Sequence, residues 1–379
     1  MPVREPTLLE QLENAGCKID IDSFDPEIAD SLPFTPHDAT SNQALIRLPV
    51  FDPKHLDLVK TVVRDNKGAS PHDILTILHA KFAKILLPHI SGRVLAQTTP
   101  SYPFDKEKIV THAKAYAKAF NDEGIPNDRF CIKIPTTTAG VQAAVELNKL
   151  GIASLGTALF SLPQAIAASQ AGMHAISPYF NPCKAHADPA YWVDTADPVH
   201  SHPMANRMIH IRETYDKLAR ETGKPQPQIK GAGYITGREV MAQAALGCDH
   251  VTVLPASIKD LLSTSKLPPH RANDEWGAAR IYTQIDQPNL VWENWSVPDK
   301  SPAAAERLAA LATADPLGGK MQKDFKIAST ETDYLADGVL DEASEKDEAT
   351  KFRLADAIET FKLAEDELFE FLAKLQKAE

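Results

Sequence analysis

Short runs of β-branched and other apolar residues recur along the first 260 residues, and the stretches between them carry apolar residues at helical spacing. Eight such runs predict strands: Lys18 to Ser23, Thr35 to Asn42, Arg93 to Thr98, Phe130 to Pro135, Ile152 to Leu159, His174 to Phe180, Gln228 to Tyr234, and His250 to Leu254. Eight strands, each with a helix, is the count at which a parallel sheet closes as a (β/α)8 TIM barrel. Start and stop signals delimit several of the helices. Thr136 to Thr138 cap one that begins near Ala139, sets Val141, Ala144 and Val145 on one face and stops at Gly151. Ser161 caps the next, with Pro163 in its first turn and Gly172 past its end, and Thr236 and Gly247 bracket a third.

The pattern then changes. Residues 271 to 330 hold Trp276, Trp292 and Trp295 among several prolines and predict a mostly irregular connection wrapping the barrel. From about Asp347 a helix is expected, since Leu354, Ile358, Phe361, Leu368, Leu372 and Leu375 form an apolar stripe that must dock on something. The expected organisation is a barrel domain over residues 1 to 270 and an extension over 271 to 379 whose amphipathic helix packs on the barrel.

At 43% apolar and 24% charged residues, the composition is that of a globular chain, not a disordered or collagenous one. With 17 glycines against 28 prolines, glycine-rich phosphate loops are not indicated. The net charge of −11 offers no basic face for nucleic acid or an anionic membrane. Most of it sits at the C-terminus, where residues 331 to 379 carry fifteen acidic and six basic side chains, so it says little about the charge of a barrel ligand. Cys17, Cys131, Cys183 and Cys248 lie far apart, which fits a reducing cytosol, and no stretch is apolar enough to span a bilayer. A cytoplasmic protein is expected, with a homo-oligomer compatible with the sequence.

In a TIM barrel, chemistry sits at the C-terminal ends of the strands. Lys133 lies between Ile132 and Ile134 in CIKIP, a strand buried on both faces. An ammonium there loses hydration and its pKa falls, which suits a nucleophilic amine forming a Schiff base with a carbonyl; a rim lysine snorkelling to solvent or paired with a carboxylate accounts for the position equally well. Its company favours chemistry. Asp22 ends the first strand as a candidate general base, with Asp20 on the same face, and Thr40, Asn42, Gln97, Thr157, Ser177 and Tyr179 all fall at the same end of their strands. Uncharged donors and acceptors around one lysine suit a polyhydroxylated molecule. Cys183, His186, His200 and His202 share a loop, but their spacing matches no zinc pattern, so no metal is expected, and the acidic run Asp341 to Glu348 reads as solvated surface.

These residues stand in familiar runs. DATSNQALI, IKIPTTTAGVQAAVELNKLGI, GTALFSLPQAIAASQAG, ISPYF and GCDHVTVLPASIKDLL, in that order, resemble the transaldolase family from about residue 15 to 265, and more weakly in the C-terminal helix. The resemblance implies a (β/α)8 Schiff-base enzyme of carbohydrate metabolism, of the pentose phosphate kind, that needs no cofactor. It makes Lys133 the Schiff-base lysine and Asp22 the acid/base residue. Thr40, Asn42 and Ser177 would hold substrate hydroxyls, and Thr157 would orient a water.

Three departures modify that expectation. Gln97 stands where transaldolases carry a glutamate, and Tyr179 where they carry the phenylalanine of SPF; with LGTA at Leu155 to Ala158, both are similar to the fructose-6-phosphate aldolase branch. Tyr179 would then manage the water that protonates the enamine. The family's phosphate ligands, in GASFR and shortly after SPF, are replaced by Gly233, Ile235 and Pro182, leaving Lys184, Lys230 and Arg238 as candidate anion ligands. The expected reaction is cleavage or formation of a ketose carbon–carbon bond through a lysine-bound dihydroxyacetone-type enamine passed to an aldehyde. The alternatives are a fructose-6-phosphate aldolase-like or repurposed enzyme acting on an unphosphorylated carbonyl compound, and a catalytically silent barrel with a binding role.

Overall fold

The computed structural model describes residues 4–270, 302–318 and 328–378. Eight parallel strands close into one barrel in chain order: β1 Lys18–Ile21, β2 Ala39–Thr40, β3 Val94–Gln97, β4 Phe130–Pro135, β5 Ser154–Leu159, β6 Ala175–Pro178, β7 Gln228–Gly231 and β8 His250–Val253. Closure is direct, since β1 pairs with β8 from Lys18 opposite His250 to Ile21 opposite Val253. The helices form the outer ring, and the fold is the (β/α)8 barrel expected from the alternation.

Strand periodicity sorts the side chains. On β4, Phe130, Ile132 and Ile134 face the helices and join the main apolar core, while Cys131 and Lys133 alternate to the interior. Inside the barrel, Leu95, Cys131, Leu155 and Ala175 pack as a small apolar group on the β3 to β6 side. The opposite side, built by β1, β7, β8 and the residue before β2, is charged. Lys230 Nζ lies 3.0 Å from Asp20 Oδ2 and 2.9 Å from Asp38 Oδ2, and 2.8 Å from His250 Nδ1.

Several strands are shorter than predicted, for local reasons. β2 is reduced to Ala39–Thr40: Pro36 has no N–H for a ladder, and Asn42 already caps the next helix, α1 (Gln43–Phe51). β7 stops at Gly231, and two residues on Gly233 takes φ +76°, a left-handed turn that leaves the sheet. The helix α2 (Thr138–Lys149) is capped by Thr137, whose hydroxyl accepts from Gly140 N. In α3 (Leu162–Gln170) the Ser161 hydroxyl does not cap; it donates to Gln164 Oε1, which itself accepts from Phe160 N.

The connection expected to be mostly irregular contains a helix, α6 (Pro302–Leu311), after α4 (Ala205–Thr222) and α5 (Gly237–Ala245). Its PAAAERLAAL sequence is rich in the strongest helix formers, a signal outweighed in the reading by the nearby prolines. Trp276, Trp292 and Trp295 lie outside the described residues. The C-terminal helix α7 (Glu348–Ala378) runs 31 residues and packs on α1, on β5 and on the loop after β6. Leu354, Phe361, Leu368 and Leu372 are buried as the stripe requires, each contributing roughly 1.5–3 kcal/mol to docking. Among the described residues no helix is long and apolar enough to cross a membrane.

Candidate active site

At the C-terminal end of the barrel lies a cavity of about 220 Å³. Its wall brings together Asp22, Thr40, Asn42, Lys133 and Tyr179, residues that come from four strand ends and the cap of α1. Asn42 uses Oδ1 to accept from Leu45 N at 3.1 Å, so capping fixes the side chain that it presents to the cavity.

Lys133 is 4% exposed, and no hydrogen bond or ion pair holds its Nζ among the described residues. Burial lowers its pKa below the ordinary lysine value, and the charge of Asp22 opposes that fall. Asp22 directly follows β1 and accepts from Thr40 Oγ1 at 2.6 Å. Burial raises its pKa, while Lys133 and the Thr40 hydroxyl pull it back. Lysine and aspartate thus share one pocket, each moderating the other's proton affinity. An amine and a carboxylate so placed are suited to exchanging protons with a ligand between them.

Tyr179 enters the wall from beyond β6, and its hydroxyl is 2.9 Å from Thr157 Oγ1. Burial pushes the phenol above its usual pKa, so it stays protonated, and Thr157 joins the site through this bond rather than by reaching the cavity.

Two other expected residues fall short of the wall. Gln97 stands opposite Lys133 in the β3–β4 register, but its Nε2 donates to Gln43 Oε1 at 3.1 Å, and the first residue of α1 thereby holds it back. Its Oε1 is buried without a partner among the described residues. Ser177 is buried on β6 and also off the wall, because Tyr179, two residues along the same strand face, stands there instead.

None of the three candidate anion ligands lines the cavity. Lys230, 1% exposed, is consumed by Asp20 and Asp38 inside the barrel. Arg238 on α5 donates to Ala196 O and Pro268 O. Lys184 is exposed, with its ammonium over the Tyr191 ring. Lys133 is therefore the only lysine or arginine in the wall among the described residues. Arg353 of α7 is buried close by and donates to Phe180 O at 3.1 Å.

Among the described residues the histidine-bearing loop forms no cluster of possible metal ligands. His200 pairs with Asp197 at 2.7 Å and His202 with Asn181 at 3.2 Å, while Cys183 and His186 line the cavity. Asp20, His37 and His250 lie close enough together to hold an ion, but the Lys230 ammonium already stands against Asp20 and His250.

Sequence reasoning missed Asn181, Thr252, Thr360 and Phe361 in the wall. Thr252 had the same signal as Lys133, a polar residue inside an apolar strand, HVTVL. Thr360 and Phe361 come from α7 and had none, since they reach the site only through the docking of a helix that begins about 100 residues after the last strand.

α7 is held over this end of the barrel by polar bonds as well as by its stripe. Asp356 Oδ2 accepts from Lys184 N at 2.9 Å, and Glu365 Oε2 accepts from Thr99 Oγ1 at 2.9 Å and Ser101 Oγ at 2.5 Å. Next to its first turn, Arg207 of α4 bonds Asp347 and Asp315 and donates to Phe160 O.

A relative named transaldolase, from Glaesserella parasuis serovar 5 (strain SH0165), is 27% identical over 287 residues, covering 73% of this chain and 85% of its own. A solved IMP dehydrogenase/GMP reductase-like protein from Corynebacterium glutamicum covers 78% of both chains at 12% identity and a TM-score of 0.41, a likeness too loose to bear on function. The family model of transaldolase/fructose-6-phosphate aldolase matches residues 19–295, most of the chain, and the protein belongs to that family of aldolase and transferase enzymes.

Proposed function

We propose that the protein makes and breaks a ketose carbon–carbon bond through a Schiff base on Lys133. The observation that carries this reading is a buried lysine without a hydrogen-bonded partner, sharing a cavity with Asp22, Thr40 and Asn42. The neutral amine attacks the C2 carbonyl, and loss of water gives an iminium. Asp22 takes the C4 hydroxyl proton, the C3–C4 bond breaks, and its electrons move onto the iminium nitrogen to form the enamine as an aldehyde leaves. Thr40 holds Asp22 in place, and the free amide of Asn42 meets a hydroxyl of the retained three-carbon unit.

The enamine has two fates. It adds to an acceptor aldehyde by the reverse steps, which is transfer, or it takes a proton and is hydrolysed, which is aldol cleavage. Tyr179, protonated and bonded to Thr157, suits the delivery of a proton through water to the enamine carbon. The same pairing favours the fructose-6-phosphate aldolase-like outcome, with Gln97 in register beside Lys133 where a glutamate would bring charge.

The test is exchange of the hydroxymethyl hydrogens of dihydroxyacetone with deuterated water, followed by NMR. Reversible enamine formation from bound dihydroxyacetone removes a carbon-bound hydrogen and returns one from the solvent, so it is read as that exchange. It is expected in the wild type and abolished in Lys133→Met, and exchange persisting in the variant overturns the reading.

A further inference from the structure

Part of the cavity is roofed by α7. Leu354, Ala357 and Phe361 of that helix pack with Phe160, Tyr179 and Ala232 in an apolar cluster separate from the main core, and Thr360 and Phe361 line the cavity itself. Apolar packing is non-directional, so a helix docked by a stripe alone can slide or turn at little cost. Side chains that shape a cavity do not tolerate such freedom.

One turn beyond Phe361, on the same face, α7 carries a directional contact. Glu365 is 1% exposed, and its Oε2 accepts from Thr99 Oγ1 at 2.9 Å and from Ser101 Oγ at 2.5 Å. Burial raises its pKa, and the two hydroxyls oppose that rise. A leucine there would dock the helix without burying a carboxylate, so what Glu365 adds is direction rather than attraction. The groups that receive it are themselves fixed. Thr99 N donates to His112 Nδ1 at 3.0 Å, and the preceding Thr98 donates its N–H to Lys133 O at 2.9 Å. His112 Nε2 meets the Thr76 hydroxyl, whose own hydrogen goes to His72 O, so Nε2 carries the ring proton and Nδ1 accepts. Glu365 thereby registers α7 against the loop that hangs from the backbone of the lysine.

We propose that Glu365 is a positioning residue: through Thr99 and Ser101 it holds α7 in the register that closes Thr360 and Phe361 over the cavity, and so keeps the cavity in its binding-competent form. Only the kinetic consequence rests on the Schiff-base reading. Without these bonds the roof is open part of the time, and a substrate that binds the closed form has its apparent KM raised by the inverse of the closed fraction. The effect on kcat is smaller, because saturating substrate closes the roof again.

Cys183 reports on the roof. It lines the cavity and packs against the same cluster, and burial pushes its thiol pKa up, so it alkylates slowly while the roof is closed. Cys17, Cys131 and Cys248 are buried and serve as controls for global unfolding. The experiment follows iodoacetamide labelling of each cysteine by peptide mapping, together with kcat and KM for glyceraldehyde as acceptor of dihydroxyacetone, in the wild type, Glu365→Gln and Glu365→Leu. In Glu365→Leu the Cys183 labelling rate and the KM should each rise by roughly tenfold or more, with kcat changed less and the other three cysteines still protected. Glu365→Gln keeps an oxygen that accepts from both hydroxyls and should recover most of each loss. A folded Glu365→Leu that labels and binds like the wild type overturns the inference. Faster labelling with an unchanged KM, or a glutamine variant no better than the leucine one, overturns it too. Labelling of all four cysteines in Glu365→Leu means that this variant has unfolded, and Ser101→Ala, which removes one of the two donors, then decides: Cys183 labelling as slow as in the wild type overturns the inference. Absence of a borohydride-trapped adduct on Lys133 in the wild type overturns the Schiff-base reading and the kinetic consequence, while the labelling result still judges the positioning role.

Discussion

Replacing Lys230 by methionine separates the anion-binding role expected from the sequence from the structural role that its ion pairs give it. In the structure its ammonium bridges two carboxylates that are almost wholly buried, Asp20 at 0% and Asp38 at 1% exposure. Removing one partner of a buried ion pair costs about 3–5 kcal/mol, because a charge is left in a poorly hydrated place. Some compensation remains. Asp20 keeps the bond from Asp38 N and a contact with His250, and Asp38 keeps the bond from Arg93 N and a contact with His37. The lower end, about 3 kcal/mol, is therefore expected.

Unfolding entropy scales with chain length, so for a chain of this size that loss lowers Tm by roughly 4 °C. Its pH dependence has a definite sign. Ion pairing raises the Lys230 pKa, so its contribution is present below the unfolded lysine value and is lost as pH rises through the folded one. For Asp38 the bonds from His37, Lys230 and Arg93 outweigh burial and lower the pKa, so its contribution is present above the unfolded aspartate value and is lost as pH falls. The gap between wild type and variant should be full from about pH 4 to pH 10 and narrow outside that window. Thermal melts followed by circular dichroism measure the gap, and steady-state kinetics at low temperature measure KM. A variant that melts like the wild type but has a raised KM for an anionic substrate would refute the structural role and restore Lys230 as a ligand.

Three further substitutions probe the site itself. Asp22→Asn removes the carboxylate that opposes the fall in the Lys133 pKa, so adduct formation should reach its plateau at lower pH than in the wild type while bond cleavage drops by about a hundredfold or more, read from trapping and turnover profiles. Thr40→Val deletes the 2.6 Å bond to Asp22, which raises that carboxyl's pKa further and should move the acid limb of kcat/KM to higher pH. Tyr179→Phe should leave Schiff-base formation in place and slow enamine hydrolysis, raising the ratio of transfer to aldol cleavage in product analysis.

The barrel was readable from the chain because its strands announce themselves locally: CIKIP and HVTVL carry isoleucines and valines outward, with Lys133 inward on the first and His250 and Thr252 inward on the second. Lys133, Asp22, Thr40, Asn42 and Tyr179 followed, since a strand end fixes both the height and the direction of a side chain. Local pattern fails where a competing partner decides. Gln97 had the right height but Gln43 draws it off the wall, and the wall is lined by the larger Tyr179, just beyond β6, and not by Ser177. Lys230 looked like a cation near a lost phosphate site because nothing in QIKGAGY records that Asp20 and Asp38, some 200 residues earlier, meet it across the closing seam. The contribution of α7 was half legible. Its apolar stripe was visible, but Thr360, Arg353, Asp356 and Glu365, which line the cavity or tie the helix down over it, acquire meaning only once the helix has docked.

The central claim is a covalent one, so the most direct measurement is the site of the covalent bond. Incubating the protein with dihydroxyacetone or a ketose, reducing with borohydride and mapping peptides by mass spectrometry should place the reduced adduct on Lys133 alone, with none formed in Lys133→Met. An adduct on another lysine, or none with free and phosphorylated sugars alike, would contradict the account.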